Sequence, residues 1–122
     1  MKKITILFFL SLTILQLTSC GGGSAEIEAR DAKKYAGWNK SVKGKVAGIK
    51  MAEGHYKNPN YINLGKDYPN QDLTIVVYGD FQRKFKKDLK SLLGKNILVK
   101  GKIMWYKQNI QIRNPIHIEI IP

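Results

Sequence analysis

The chain is poor in cysteine, histidine and acid. A single cysteine, Cys20, excludes an intramolecular disulfide and any zinc site built on several thiolates. The only histidines are His55 and His117, and no Ser-His-Asp or Cys-His set can be assembled around them. Neither common glycine-rich phosphate loop occurs. Six of the nine acids, Glu53, Asp67, Asp72, Asp80, Asp88 and Glu119, are scattered through the later part of the chain, without the close pair that two-metal hydrolysis uses. These absences argue for a binding protein and not an enzyme, with no metal, cofactor or small-molecule substrate. At 122 residues there is room for one domain.

What the chain has in excess is positive charge. It carries 21 Lys and Arg against 9 Asp and Glu, a net +12. That balance selects anionic partners: nucleic acid, acidic glycan or lipid headgroup. It also has one long apolar run. Behind Lys2 and Lys3, residues Ile4 to Leu17 read ITILFFLSLTILQL, fourteen residues. At about 1.5 Å per residue such a helix is roughly 21 Å long, short of the ~30 Å of a hydrocarbon core. A basic start, a short apolar stretch and small residues behind it make a secretory signal.

The run ends in Leu17-Thr18-Ser19-Cys20, which resembles the bacterial lipobox, with the only cysteine of the chain at the modified position. The resemblance implies a signal peptide over residues 1–19, cleavage before Cys20, and acylation of Cys20. Two or three acyl chains meet the requirement for stable anchoring. Residues 20–24, the acylated cysteine and GGGS, form a flexible leash to a folded domain over 25–122. The expected location is the cell envelope, on the outer membrane where one exists, since Gly21 is not the aspartate that commonly retains lipoproteins at the inner membrane. Without Lys2 and Lys3 the protein is still +10, so the charge belongs to the domain.

Within 25–122, AEIEARDAKKY (Ala25 to Tyr35) has acids ahead of bases and no Gly or Pro, the pattern of a short helix packing through Ile27, Ala32 and Tyr35. Val42 to Met51 alternates, with Val42, Gly44, Val46 and Gly48 on one face of a long first strand. Ala52 to Asn60 is a loop, Tyr61 to Leu64 a short strand, Gly65 to Asp72 a turn, and Leu73 to Tyr78 a strand dense in β-branched residues. Phe81, Phe85, Leu89, Leu92 and Leu93 recur at helical spacing with lysines and an arginine between them, which predicts an amphipathic helix closed by Gly94. Alternation resumes over Asn96 to Met104, and Ile110 to Arg113 with Ile116 to Ile121 supply a last strand interrupted at Asn114-Pro115.

Three strands, a helix and two strands in about 80 residues is the order of the OB-fold, an all-β, five-stranded small barrel, here preceded by a short helix. Two segments, Val42 to Val46 (VKGKV) and Tyr61 to Gln71 (YINLGKDYPNQ), resemble a family of bacterial exported OB-fold nucleic-acid-binding domains. Leu93-Gly94-Lys95, Val99 to Ile103 and Tyr106-Lys107 to Asn114-Pro115 fit it as well, so the likeness spans about residues 30 to 120. Members of that family commonly carry Gly-Pro after the Tyr-Lys of the last hairpin, where this chain has Gln108-Asn109-Ile110. The resemblance implies a nucleic-acid ligand.

In this fold, ligands cross the face of strands two and three between the loops joining strands one to two and four to five. The first loop holds His55, Tyr56 and Lys57, the second Trp105, Tyr106 and Lys107, and Tyr61 and Asn63 stand between them. Rings stack unpaired bases and interleaved lysines neutralise phosphates, so these eight residues are the candidate single-stranded nucleic-acid groove. Lys43, Lys45, Lys100, Lys102 and Arg113 are its candidate electrostatic rim. Tyr68 reads as part of a turn, and the helix lysines as a solvated face. A second reading is an envelope structural or adaptor lipoprotein that meets a protein, an acidic glycan or an anionic lipid surface.

Overall fold

A computed structural model describes residues 25–52, 58–79 and 88–122. Seven strands run along this part of the chain: β1 (Glu26–Glu28), β2 (Asn39–Lys50), β3 (Pro59–Leu64), β4 (Leu73–Tyr78), β5 (Asn96–Tyr106), β6 (Asn109–Arg113) and β7 (His117–Ile121). Five of them close a barrel. β2 pairs antiparallel with β3, β3 with β4, β4 runs parallel to β6, β6 pairs antiparallel with β5, and β5 returns to β2. This is the expected OB-fold order, and two long strands are shared between its two sheets. β2 gives residues 39–45 to β5 and residues 46–50 to β3, while β5 gives 96–102 to β2 and 103–106 to β6.

The barrel interior follows from alternation. Ile62, Ile75, Ile112 and Ile103 are neighbours around β3, β4, β6 and β5, and all are fully buried. Leu64 with Leu73, and Val42 with Val99, add further levels. Fully burying such side chains contributes about 1.5–3 kcal/mol each, enough to fix which face of every strand turns inward.

Four sequence expectations are corrected. The segment expected as an N-terminal helix is instead β1 followed by a 3₁₀ helix, Ala29–Tyr35. Glu-Ile-Glu alternates, so β1 adds in parallel to β2, and Glu26 and Glu28 both reach Lys43 at 3.8 Å. Ala29 and Ala32, three apart, share the buried side of the tighter helix. Of the helix expected over 81–93, residues 81–87 lie outside the described residues. Its last turn is a 3₁₀ helix, Leu89–Leu92, whose Asp88 accepts hydrogen bonds from Lys90 N and Ser91 Oγ. Leu89 and Leu92 are buried but Leu93 is exposed, while Gly94 takes the left-handed conformation (φ 81°) expected of it.

The third correction concerns β2. Its register with β3 shifts between Val46 and Gly48, which breaks the alternation. Gly48 therefore leaves the inward face of Val42 and Val46 and pairs with Asn63 on the outer face. The fourth is the end of the chain. The interrupted last strand is two strands on different sheets: β6 closes the barrel, whereas β7 pairs with residues 96–100 of β5 outside it.

β2 begins at a fused turn and bulge. Trp38 N donates to Tyr35 O, with Ala36 at φ −57°, ψ 131° and Gly37 at φ +94°, the geometry of a type II turn. Gly37 N donates to Ile103 O and Ile103 N to Trp38 O, so two residues oppose one. A Cβ at Gly37 would touch nothing. Gly37→Ala is thus expected to cost roughly 1–2 kcal/mol from backbone conformation alone, seen as a lowered denaturation midpoint with an unchanged m-value.

Candidate nucleic-acid interface

The outer face of β3, β4 and β6 forms the floor of a groove of about 720 Å³, a size typical of ligand sites. Pairing lays its residues out in two rows. Gly48, Asn63, Thr74 and Gln111 run across β2, β3, β4 and β6, and Lys50, Tyr61, Val76 and Arg113 run beside them. Tyr78 continues β4 past the second row, and the β5–β6 hairpin raises Tyr106 and Lys107 as one wall. Asp67, Tyr68 and Gln71, from the β3–β4 turn, form the opposite edge.

The floor is polar, and most of it is satisfied. Thr74 Oγ1 donates to Asn63 Oδ1 at 3.0 Å and accepts from Gln71 Nε2 at 3.1 Å. Asn63 Nδ2 donates to Asp67 Oδ1, which also accepts from Tyr68 N at 2.7 Å. Gln71 Oε1 is buried with no hydrogen-bond partner among the described residues. Gln111, 8% exposed, also lines the groove, across from Thr74. A buried acceptor left open costs about 1–3 kcal/mol, which a donor on a ligand or a water molecule would recover.

Rings and cations occupy the rim. Tyr106 is 48% exposed, and Lys107 Nζ and the Arg113 guanidinium stand 5.5 and 5.4 Å from its ring centroid. Both cations lie within cation–π range, so the ring stands beside two groups that also suit phosphates. Lys107 itself has φ 57°, the left-handed region, at the hairpin position next to the departure from the family's Gly-Pro. With Lys50 the groove carries three cations against one acid, Asp67.

The candidate residues divide accordingly. Tyr61, Asn63, Tyr106, Lys107 and Arg113 line the groove together. His55, Tyr56 and Lys57 lie outside the described residues, as does Cys20. Trp105 stands in β5 and not in a loop; it follows Ile103 on one face of the strand while Tyr106 takes the other, so it is not part of the groove. Lys43 is paired with Glu26 and Glu28, and Lys45, Lys100 and Lys102 lie on the residue 39–45 half of β2 and its β5 partner, away from the groove. Sequence reasoning missed Lys50, Thr74, Tyr78 and Gln111, and gave Tyr68 a role in the turn only, though it is 73% exposed at the groove edge. Alternation along Leu73 to Tyr78 held the signal for Thr74 and Tyr78, since inward Leu73, Ile75 and Val77 leave them outward.

Among the described residues no three His, Cys, Asp or Glu side chains come together as a metal site. No family model and no curated protein sequence matches the chain. Solved structures do. One chain in a crystal structure of yeast Stn1 and Ten1 aligns with 90% of this chain and 69% of its own length, at TM-score 0.58 and 11% identity. An aspartyl-tRNA synthetase from Leishmania major Friedlin aligns with 80% of this chain at TM-score 0.53 and 7% identity. An OBody bound to hen egg-white lysozyme aligns with 72% of this chain and 83% of its own, at TM-score 0.51 and 16% identity. This chain spans 21% of the synthetase and 57% of the matched chain in the S. pombe Stn1-Ten1 complex. Closed strand order and structural likeness agree that the chain has the OB fold.

Proposed function

We propose that this protein is an exported, lipid-anchored OB-fold module that binds single-stranded nucleic acid along the β3–β4–β6 groove. The observation that carries the reading is the convergence of Tyr61, Tyr78 and Tyr106 with Lys50, Lys107 and Arg113 in one groove over a polar floor. Rings stack bases whatever their identity, and the three cations track the backbone. The amides of Gln71 at the groove edge and Gln111 on its floor offer hydrogen bonds to base edges that only an unpaired strand exposes. Anchoring rests on the apolar run before Cys20 and the lipobox resemblance, which support a module held at the cell envelope.

Three phosphate contacts imply that log K falls with log salt at a slope of about −2 for a single strand. Fluorescence anisotropy of a labelled DNA or RNA oligomer, titrated with the detergent-solubilised protein across a salt series, measures it. Binding that ignores salt, or no binding to any oligomer, overturns the reading. Retention on anionic vesicles or acidic cell-wall polymer in that case would identify an envelope adaptor instead.

A further inference from the structure

Both tryptophans of the chain lie outside the groove, at one end of the barrel. Trp38 is 62% exposed and Trp105 54%, although such rings usually bury most of their surface. Ile103 N donates to Trp38 O at 2.9 Å, so Trp38 sits beside Ile103, and Trp105 lies two residues further along the same face of β5. Lys40 Nζ stands 4.8 Å from the Tyr35 ring centroid and 5.5 Å from that of Trp38. Lys40 pairs with Gly101, which shares the Ile103 and Trp105 side of β5, whereas Lys102 alternates to the other side with Met104 and Tyr106. The nearby acids are engaged: Glu26 and Glu28 with Lys43, and Asp31 with Lys34 at 3.6 Å.

The chain enters at this same end. β1 runs parallel to β2 with Glu26 beside Ser41, which brings Ala25 to the level of Lys40, where β2 begins. Cys20 stands five residues earlier in the sequence, and five residues reach at most about 17 Å. An acyl group on Cys20 therefore tethers the tryptophan end to a bilayer. Tryptophan is the side chain best suited to the headgroup level, and lysine is drawn to anionic leaflets.

We propose that Trp38, Trp105 and Lys40 form a membrane-docking face, which seats the barrel on an anionic bilayer. The inference rests on the lipid-anchor reading above, and it is separate from the groove. Because Tyr106 points to the side of β5 opposite Trp105, docking leaves the groove open.

With no other tryptophan in the chain, intrinsic fluorescence reports on this face alone. The test reconstitutes the acylated protein in phosphatidylglycerol/phosphatidylethanolamine vesicles containing brominated lipid. Trp38→Phe and Trp105→Phe variants isolate each ring without emptying its position. Blue-shifted emission and bromolipid quenching are expected for both rings, lost in phosphatidylcholine and at high salt. Lys40→Ala should lower the docked-to-undocked ratio by about fivefold, the equivalent of about 1 kcal/mol, whereas Lys102→Ala, on the other side of β5, should leave it unchanged. Intact mass reports acylation independently. An unacylated Cys20 overturns the anchor and the docking face together. An acylated protein whose tryptophans stay unquenched overturns the docking face alone, as does protection of these rings by an oligonucleotide instead of by lipid.

Discussion

Replacing Tyr61 and Tyr106 together by alanine is expected to weaken binding of a single-stranded oligomer by roughly thirtyfold or more, since each stacked ring is worth about 1–3 kcal/mol. The two rings stand at different places in the groove, Tyr61 on its floor row and Tyr106 on the hairpin wall, so they address different bases. Tyr106 has a second role. Its ring lies within cation–π reach of Lys107 and Arg113, and its loss frees both cations to reorient. Tyr106→Ala should therefore also alter the salt dependence, whereas Tyr61→Ala should shift affinity at unchanged slope. Neither ring belongs to the buried core, so thermal stability should move little. Anisotropy titrations of the single and double variants, with melting curves as the control, check each part.

Gly48→Ala is expected to cost about 1–3 kcal/mol of stability and to impair the groove as well. A Cβ at residue 48 would occupy the space of the Asp67 carboxylate. Asp67 would have to leave, abandoning Asn63 Nδ2 and Tyr68 N, and Asn63 is the residue that Thr74 Oγ1 bonds. The disturbance would thus pass from β2 through the β3–β4 turn to the floor. A double-mutant cycle with Asp67→Ala separates this route from simple overpacking. Gly48→Ala should cost less when the carboxylate is already gone, with a coupling energy on the order of 1 kcal/mol. Additive costs would show that the glycine serves the strand and not the carboxylate.

The barrel was legible because its code is repetitive. Asn96 to Met104 alternates cleanly, Leu73 to Tyr78 is a dense β-branched run, and five strands around a helical break leave few topologies. What escaped was set by pairing partners that alternation does not name. Glu26–Glu28 is a strand only because Lys43 and the free edge of β2 receive it, and taken alone its charge order suits a helix. The register shift before Gly48 is invisible in the alternation of Val42 to Met51, yet it decides that Gly48 faces Asp67.

The groove was half legible for the same reason. Tyr61, Asn63, Tyr106, Lys107 and Arg113 are named by fold geometry and ring-and-cation content, and they meet in one groove. Trp105 was placed with Tyr106 as a loop residue, but β5 extends through both, and neighbours on a strand face opposite ways. Lys43 illustrates the limit of charge counting. Its neighbours in sequence are lysine-rich, while its neighbours in space are two glutamates.

The central claim is that the groove, and no other surface, seats the nucleic acid. Photocrosslinking of a bromodeoxyuridine oligomer to the intact protein, with adducts located by peptide mass spectrometry, tests it most directly. Adducts at Tyr61, Tyr78 and Tyr106 are the expected result. Adducts at Trp38 or Trp105 in their place, or none under conditions where the oligomer is bound, would contradict it.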